Sequence, residues 1–192
     1  MTDNLFDFNN AGEQRSFDVI PAGTIATLQM TIRPGNAGED GWLRTSGNGQ
    51  SEGLDCEFIV VDGQFAKKKL WQLFTLRGTT DGHAEAGKIS LNTLRAILES
   101  ARGIKPDDTS ETAKAARKIK SWADLDQIRF VARLGVRPPQ DNYPAKNFIQ
   151  EVITPNRQAW TKPEQISVKP PSGNAASAAT PPANAIARPQ WA

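Results

Sequence analysis

A run of three lysines close to a tryptophan is the part of this chain whose residue types and spacing suggest chemistry most directly. Lys67, Lys68 and Lys69 precede Trp71, and Lys67, Lys69 and Trp71 share one parity, as residues on one face of a strand do. Ammonium groups neutralise phosphates, and a flat indole ring stacks on an unpaired base of any identity. The run therefore predicts a surface that binds single-stranded nucleic acid without reading its sequence.

Other basic and aromatic residues extend this prediction to one more strand and two loops. A glycine-rich segment, residues 34–53, has six glycines in twenty residues and would wrap around a ligand. An arginine stripe alternates with apolar residues, which predicts that it faces outward. The further predicted nucleic-acid-binding residues are Trp42 and Arg44 in the first loop, Arg129, Arg133 and Arg137 in the stripe, and Tyr143 and Lys146 in the second loop.

Each of these features also has a purely structural interpretation. Lysines at the edge of a hairpin discourage edge-to-edge pairing of strands, and Trp71 could belong to the wall or the end of a barrel. Trp42 could fold back as a lid on the core. The arginine stripe could pair with Asp55 and Glu57 on the neighbouring outer face. The agreement among several features, rather than any one of them, favours binding.

Catalytic chemistry has little support in the sequence. The single histidine, His83, lies in a glycine-rich run that predicts a turn, and the single cysteine, Cys56, alternates with core positions. Phosphate-binding loops, dinucleotide-binding glycine motifs and zinc-protease motifs are not present. The Asp107-Asp108 and Asp124/Asp126 pairs lack a metal-binding spacing and are typical of helix N-termini. We expect a non-enzymatic protein with no cofactor and no metal; a metal-dependent nuclease or hydrolase using the Asp pairs is the weakest alternative.

Charge is distributed unevenly along the chain. Residues 1–66 have three bases and ten acids (−7), residues 67–160 have seventeen bases and ten acids (+7), and residues 161–192 add +2. This asymmetry favours a polyanionic partner. No stretch reaches the roughly 18 apolar residues of a membrane span, and the start resembles neither a signal nor a transit peptide. We expect no membrane association.

Alternating apolar residues predict five strands, at residues 24–33, 54–61, 69–76, 128–137 and 147–154, with another short strand at 42–45. Ser90 and Gly103 bracket a predicted helix between the third and fourth of the five. A shorter helix is expected from Ser110 to Lys120, and one more turn starts at Ser121. Five strands with a helix at that position are typical of the OB-fold, a small Greek-key barrel. The fold class is therefore predicted as mainly β with a helical insertion; another small barrel or sandwich is the alternative.

The predicted organisation has three parts: an N-terminal arm (1–15), an OB-like nucleic-acid-binding domain (16–160), and a tail (161–192). The tail contains eight alanines and six prolines, a composition that predicts disorder. Trp191, near its end, is a candidate partner-binding residue.

Several short motifs resemble a family of phage- and prophage-encoded single-stranded-DNA-binding proteins associated with recombination and replication genes. The motifs are Ile20-Pro-Ala-Gly, the run from Gly63 to Trp71 with Phe74, Gly135, and Tyr143-Pro-Ala-Lys-Asn. The resemblance implies an OB-type barrel, sequence-independent single-strand binding and no catalysis. By position it points to Lys67, Lys68, Lys69, Trp71, Tyr143 and Lys146.

The resemblance also implies a setting, namely phage-type DNA replication or recombination in the cytoplasm of a bacterial host. The tail departs from the acidic tip with which bacterial single-strand binders typically recruit partners, because it is basic. A replication or recombination protein as the partner of the tail, assembly into a homo-oligomer and RNA as the ligand all stay open, and the structural alternative for Trp191 is a chain end without a role. The competing hypothesis is a protein-interaction module, a barrel scaffold with a partner-binding tail and no nucleic-acid binding.

Overall fold

Alternating apolar residues form six antiparallel strands in the computed structural model, which describes residues 19–140 and 143–165. The predicted N-terminal arm and nearly all of the predicted tail lie outside the described residues. The strands are β1 (Ile25–Arg33), β2 (Arg44–Thr45), β3 (Ser51–Val60), β4 (Lys69–Gly78), β5 (Arg129–Arg137) and β6 (Lys146–Ile153). The helices are α1 (Asp81–Arg102) and α2 (Glu111–Ala116), followed by a single 3₁₀ turn, Trp122–Leu125. All five predicted strands and the short strand at residues 42–45 are confirmed, with small shifts of their ends.

The inner face of the sheet carries the core. Phe58 of β3 lies between Phe74 of β4 and Phe130 of β5, with edge-to-face contacts at centroid separations of 6.2 and 5.8 Å. Cys56 is fully buried beside them, as its alternation with core positions predicted. Burial, reinforced by the nearby charge of Asp55, raises the pKa of its thiol far above the usual value.

The sheet has the order β4–β3–β1–β5–β6, with β2 paired to the start of β3. Every pairing along this path is antiparallel. The two outer strands approach each other, since the Ile149 backbone N–H on β6 lies 3.4 Å from the Gln72 side-chain oxygen on β4. No backbone ladder between β4 and β6 exists among the described residues.

The main helix lies between the third and fourth long strands, but it begins well before the predicted start. Thr80 is its N-cap and accepts a hydrogen bond from the His83 backbone at 3.2 Å, whereas the expected cap, Ser90, is buried within the helix. The turn predicted for residues 78–87, including His83, is therefore wrong. Glycines at 78, 82 and 87 suggested a loop, but Gly87 lets the helix pack directly on the backbone of Leu76.

The helix ends as predicted. Gly103 forms the C-cap in the left-handed conformation (φ 71°), which glycine adopts without steric cost. Ser110 and Ser121 are also N-caps, of α2 and of the 3₁₀ turn, as the sequence indicated. One side of α1 packs Leu94, Ile97 and Leu98 into the core of the sheet.

Side-chain amides fix both ends of the described chain to the sheet. Asn147 accepts the Ile20 N–H at 2.8 Å and donates to the Ile20 carbonyl at 2.7 Å. Gln165 accepts the Arg129 N–H at 2.9 Å and donates to the Arg129 carbonyl at 2.8 Å. Contacts with the domain therefore continue past residue 160, the predicted boundary, to residue 165.

Candidate nucleic-acid interface

A cleft of about 650 Å³ lies between the β3–β4 turn and the start of β6. Five predicted site residues line it, namely Lys67, Lys68, Lys69, Trp71 and Lys146. None of its other described lining residues is acidic: they are Val19, Ala66, Leu70, Ala145 and Asn147. A concave surface rich in cations attracts anionic groups. The fold thus brings together lysines from two distant segments of the chain.

The β3–β4 turn positions the three consecutive lysines at the cleft. Gly63 (φ 75°) and Lys67 (φ 70°) both adopt left-handed backbone conformations, and the Lys67 N–H donates to the Val60 carbonyl at 2.8 Å. The Lys68 ammonium lies 5.8 Å from the centre of the Phe65 ring. Among the described residues, neither Lys67 nor Lys146 forms an ion pair. These two cations are available to an anionic ligand.

Trp71 lies on the outer face of β4 with half of its surface exposed (51%). Its indole N–H donates to Glu57 on β3 at 3.1 Å, and the Lys69 ammonium forms an ion pair with the same carboxylate at 2.7 Å. The hydrogen bond from Lys69 lowers the pKa of Glu57, and that from Trp71 acts in the same direction. The indole ring therefore faces solvent from a fixed position.

Leu73 extends the apolar part of this surface, and the sequence analysis missed it. It follows Trp71 on the same face of β4 and is 53% exposed. Its parity with Trp71 is the sequence signal that could have identified it. An exposed leucine beside an exposed tryptophan offers a contiguous apolar area for the flat faces of bases.

Trp42 packs against the core and is only partly exposed. Together with Arg77, Trp122 and neighbouring loop residues it lines a second cavity, of about 370 Å³. This packing is the lid arrangement that was the structural alternative for Trp42. The cavity lies near the start of β3, whereas the lysine-rich cleft lies at its end, roughly 23 Å away at 3.3 Å per residue. The structure does not bring Trp42 and the cleft together.

Arg44 is exposed on β2 and binds a shared carboxylate. Arg33 and Arg44 contact the two oxygens of Asp55 at 2.6 and 2.7 Å. Burial acts to raise the pKa of Asp55, but the two arginine hydrogen bonds outweigh it, so the pKa lies below its usual value. Arg44 therefore serves to join strands in the free protein.

The arginine stripe on β5 is discontinuous. Arg129 donates to Gln29 at 3.1 Å, and Arg133 donates to Glu151 at 3.4 Å. Val131, which lies between them, is only 2% exposed. The alternative pairing of these arginines with Asp55 and Glu57 is wrong, because those carboxylates bind Arg33, Arg44 and Lys69.

Arg137 differs from the other two arginines, because it lies near the lysine-rich cleft. Its guanidinium is 5.1 Å from the centre of the Phe148 ring, and its partner in the β5–β6 ladder is Lys146. Gly135 leaves the space that the Phe148 ring occupies. Arg137 thus adds a cation at the β6 side of the cleft.

Tyr143 is the most exposed large apolar side chain among the described residues, at 74%. It lies in the β5–β6 loop, where its backbone exchanges hydrogen bonds with Gln140 at 2.9 and 3.0 Å. Its position three residues before Lys146 leaves it free to stack on a base near the cleft. The predicted partner-binding residue Trp191 lies outside the described residues.

Asp108 and Asp124, one from each of the two Asp pairs, have structural contacts. Asp108 accepts the Ser110 N–H at 2.9 Å, and Asp124 accepts the Lys120 N–H at 2.7 Å. Within residues 19–140 and 143–165, no three His, Cys, Asp or Glu side chains group closely enough to hold a metal ion. In the same residues, no helix is both long and apolar enough to cross a membrane.

No protein-family model matches this chain, and no curated protein matches it significantly.

Proposed function

We propose that this protein is a non-enzymatic, largely sequence-independent binder of single-stranded DNA. The observation that carries the proposal is the cleft lined by Lys67, Lys68, Lys69 and Lys146 beside the half-exposed ring of Trp71. Phosphates would lie against the ammonium groups, and unpaired bases would stack on the indole. A duplex buries the faces of its bases within its own stack, so the aromatic contacts favour single strands.

The strand order supports an OB-like barrel as the framework. Traced as β4–β3–β1–β5–β6, it is the order of a five-stranded Greek-key barrel opened between its third and fifth long strands. The approach of Ile149 to Gln72 supports closure between those two strands. OB-folds bind oligonucleotides on the second and third strands and on the adjoining loops, which here correspond to β3, β4 and the loops holding Trp42 and Tyr143.

The outer face of β4 and β3 extends the proposed path beyond the cleft. Trp71 and Leu73 lead along β4 from the lysines toward Arg44 and Arg33 at the other end. Arg137, the ladder partner of Lys146, and the exposed Tyr143, three residues before Lys146, would extend this path on the β6 side. We assign the strongest contacts to the cleft, since Arg33 and Arg44 already bind Asp55.

The resemblance to phage and prophage single-strand binders supplies the proposed setting. It places the protein in phage-type DNA replication or recombination within the cytoplasm of a bacterial host. In that setting, a protein that coats or presents exposed single-stranded DNA must bind it whatever its base sequence, as the proposed cleft would.

The test is fluorescence anisotropy of a labelled oligo-dT, of the matching duplex and of oligo-rU at several salt concentrations. We expect tight binding to oligo-dT, weaker binding to the duplex, and a slope of log K against log salt between about −2 and −3, since the cleft lysines contribute about 0.7 each and Lys69 is already paired with Glu57. Comparison with oligo-rU decides between DNA and RNA.

Two triple variants test the cleft. Replacing Lys67, Lys68 and Lys69 by Ala should weaken binding by on the order of tenfold or more and flatten the slope by about 2. The matched control replaces Lys114, Lys118 and Lys120, exposed lysines in and after α2, and should retain the slope. Equal effects of the two variants would show that only net charge matters. No binding of the unaltered protein at low salt contradicts the proposal and leaves the interaction-module hypothesis.

A further inference from the structure

One carboxylate contacts two of the proposed DNA-binding side chains at once. Glu57 Oε1 is 2.7 Å from the Lys69 ammonium, and Glu57 Oε2 accepts the Trp71 indole N–H at 3.1 Å. Each oxygen thus has its own partner. The sequence analysis considered Glu57 only as a partner for the arginine stripe, which it does not contact.

The contacts of Glu57 with Lys69 and Trp71 follow from the pairing of β3 with β4. Glu57 is directly opposite Trp71 in the β3–β4 register, and Lys69 is opposite Ile59, one outward-facing position farther along β3. The Glu57 side chain is 24% exposed, and that of Lys69 is 47% exposed. A ligand on the outer face can therefore reach both members of the ion pair.

The charge of Glu57 opposes any phosphate that approaches Lys69. A phosphate oxygen and a carboxylate oxygen seek the same ammonium protons, and their negative charges repel each other. The ion pair must loosen when Lys69 binds DNA. The hydrogen bond from Trp71 has the opposite effect, since it holds the indole in place and reduces the entropy lost when a base stacks.

We propose that Glu57 is a built-in competitor that occupies the phosphate position at Lys69 in the free protein, while it holds Trp71 ready for stacking. This inference rests on the proposed function and defines its regulation by a residue inside the site. The competition sets the affinity below the maximum that the cleft allows, so bound strands can be released.

Two substitutions at position 57 separate the two roles. Glu57→Gln removes the charge but keeps an oxygen that can accept the indole N–H, whereas Glu57→Leu removes both contacts. Glu111→Gln is the matched control, because it makes the same charge change at an exposed ion pair on α2 with Lys114. Each variant is titrated with labelled oligo-dT over a range of salt concentrations.

We expect Glu57→Gln to bind about two- to five-fold more tightly than the control at low salt, the scale of one exposed ion pair. Its salt slope should be steeper by about 0.7, because one more lysine is available to phosphates. Glu57→Leu should gain less than Glu57→Gln, since the indole is no longer held.

Other outcomes overturn the inference. If Glu57→Gln has the affinity and slope of the control, or binds more weakly, Glu57 does not compete with phosphate. If Glu57→Leu binds as tightly as Glu57→Gln, Glu57 does not position Trp71. Failure of the unaltered protein to bind oligo-dT is a different result, which rejects the proposed function itself.

Discussion

Trp71 is the residue whose exposure most needs a function. A tryptophan with 51% of its surface exposed leaves half of its apolar area in water, and its indole N–H donates to Glu57 on the neighbouring strand. Leu73 beside it is exposed to the same degree. Two large apolar side chains next to a group of lysines form a surface with both stacking and charge, which is what single-strand binding requires.

Replacing Trp71 by Ala should weaken oligo-dT binding by about 5- to 150-fold, corresponding to the roughly 1–3 kcal/mol of one base stack. The salt slope should stay unchanged, because no cation is removed. Trp71→Phe should recover part of the loss through its smaller ring.

The control for this prediction is Ile89→Ala, which removes a comparably exposed apolar side chain from α1. Anisotropy titrations of the three variants decide the matter. A Trp71→Ala protein that binds like Ile89→Ala would exclude Trp71 from the interface.

At the scale of elements, Asp55 joins three strands. It lies on β3 and binds Arg33 of β1 and Arg44 of β2, so its carboxylate fixes the short strand β2 beside the main sheet. Its side chain is only 12% exposed. Since Gly35 lies close to the backbone of Arg44, the long loop returns tightly to the sheet at this point.

The lowered pKa of Asp55 predicts a pH-dependent stability. A carboxyl group with a folded pKa below its unfolded value of about 3.8 stabilises the fold above that value, and the stabilisation is lost as pH falls through the folded pKa. Asp55→Asn should therefore lower the free energy of unfolding by about 1–2 kcal/mol at pH 6 and by much less at pH 3.

Urea unfolding at both pH values measures this difference, with Glu85→Gln as the control at an exposed ion pair. A deficit of Asp55→Asn that persists at pH 3 would mean that packing, not charge, explains the effect.

At the scale of the whole molecule, folding places the acidic and basic segments of the chain next to each other. The acidic first third supplies β1 and β3, which lie between the basic strands β4 and β5, so ion pairs balance much of the outer sheet face. At the cleft this balance is incomplete, because among the described residues Lys67 and Lys146 form no ion pair.

A second ion-pair cluster connects α1 to the segment that follows it. Glu99 on α1 is buried, and both Arg95 and Arg117 bind its Oε1 atom, at 2.9 and 2.7 Å. Arg117 also donates to the carbonyls of Asp108 and Lys105 at 2.7 and 2.8 Å. Arg117 therefore fixes the segment between α1 and α2, which closes over the Leu94 side of α1.

Arg117→Met should lower the free energy of unfolding by on the order of 3 kcal/mol, because it leaves a buried carboxylate with only one partner. Lys114→Met, which removes an exposed partner of Glu111, should cost less than about 0.5 kcal/mol. Urea denaturation compares the two. Similar losses for both variants would show that the Glu99 cluster does not stabilise the fold, and DNA binding should be unaffected in either.

The sequence by itself determined the strands and most of the helix ends. Apolar and polar residues alternate in segments such as residues 24–33 because one face of the sheet is buried. This pattern is the same whichever antiparallel strand becomes the neighbour, so it can be recognised from the local sequence. Ser110, Ser121 and Gly103 cap or end their helices through their own side chains or backbone, so local reading sufficed. The composition of the lysine run likewise indicated its electrostatic character.

Only the tertiary structure decided the start of α1, the separation of Trp42 from the cleft, and the partners of the outward-facing charges. Gly87 packs within α1 on the backbone of Leu76 in β4, a contact between two elements that local propensity does not encode. Glu57 meets Lys69 and Trp71 because of strand register, and Lys146 joins the lysine run because β6 returns beside β4. Such pairings depend on which strands become neighbours, and that is fixed by the packing of the whole core rather than by any local pattern.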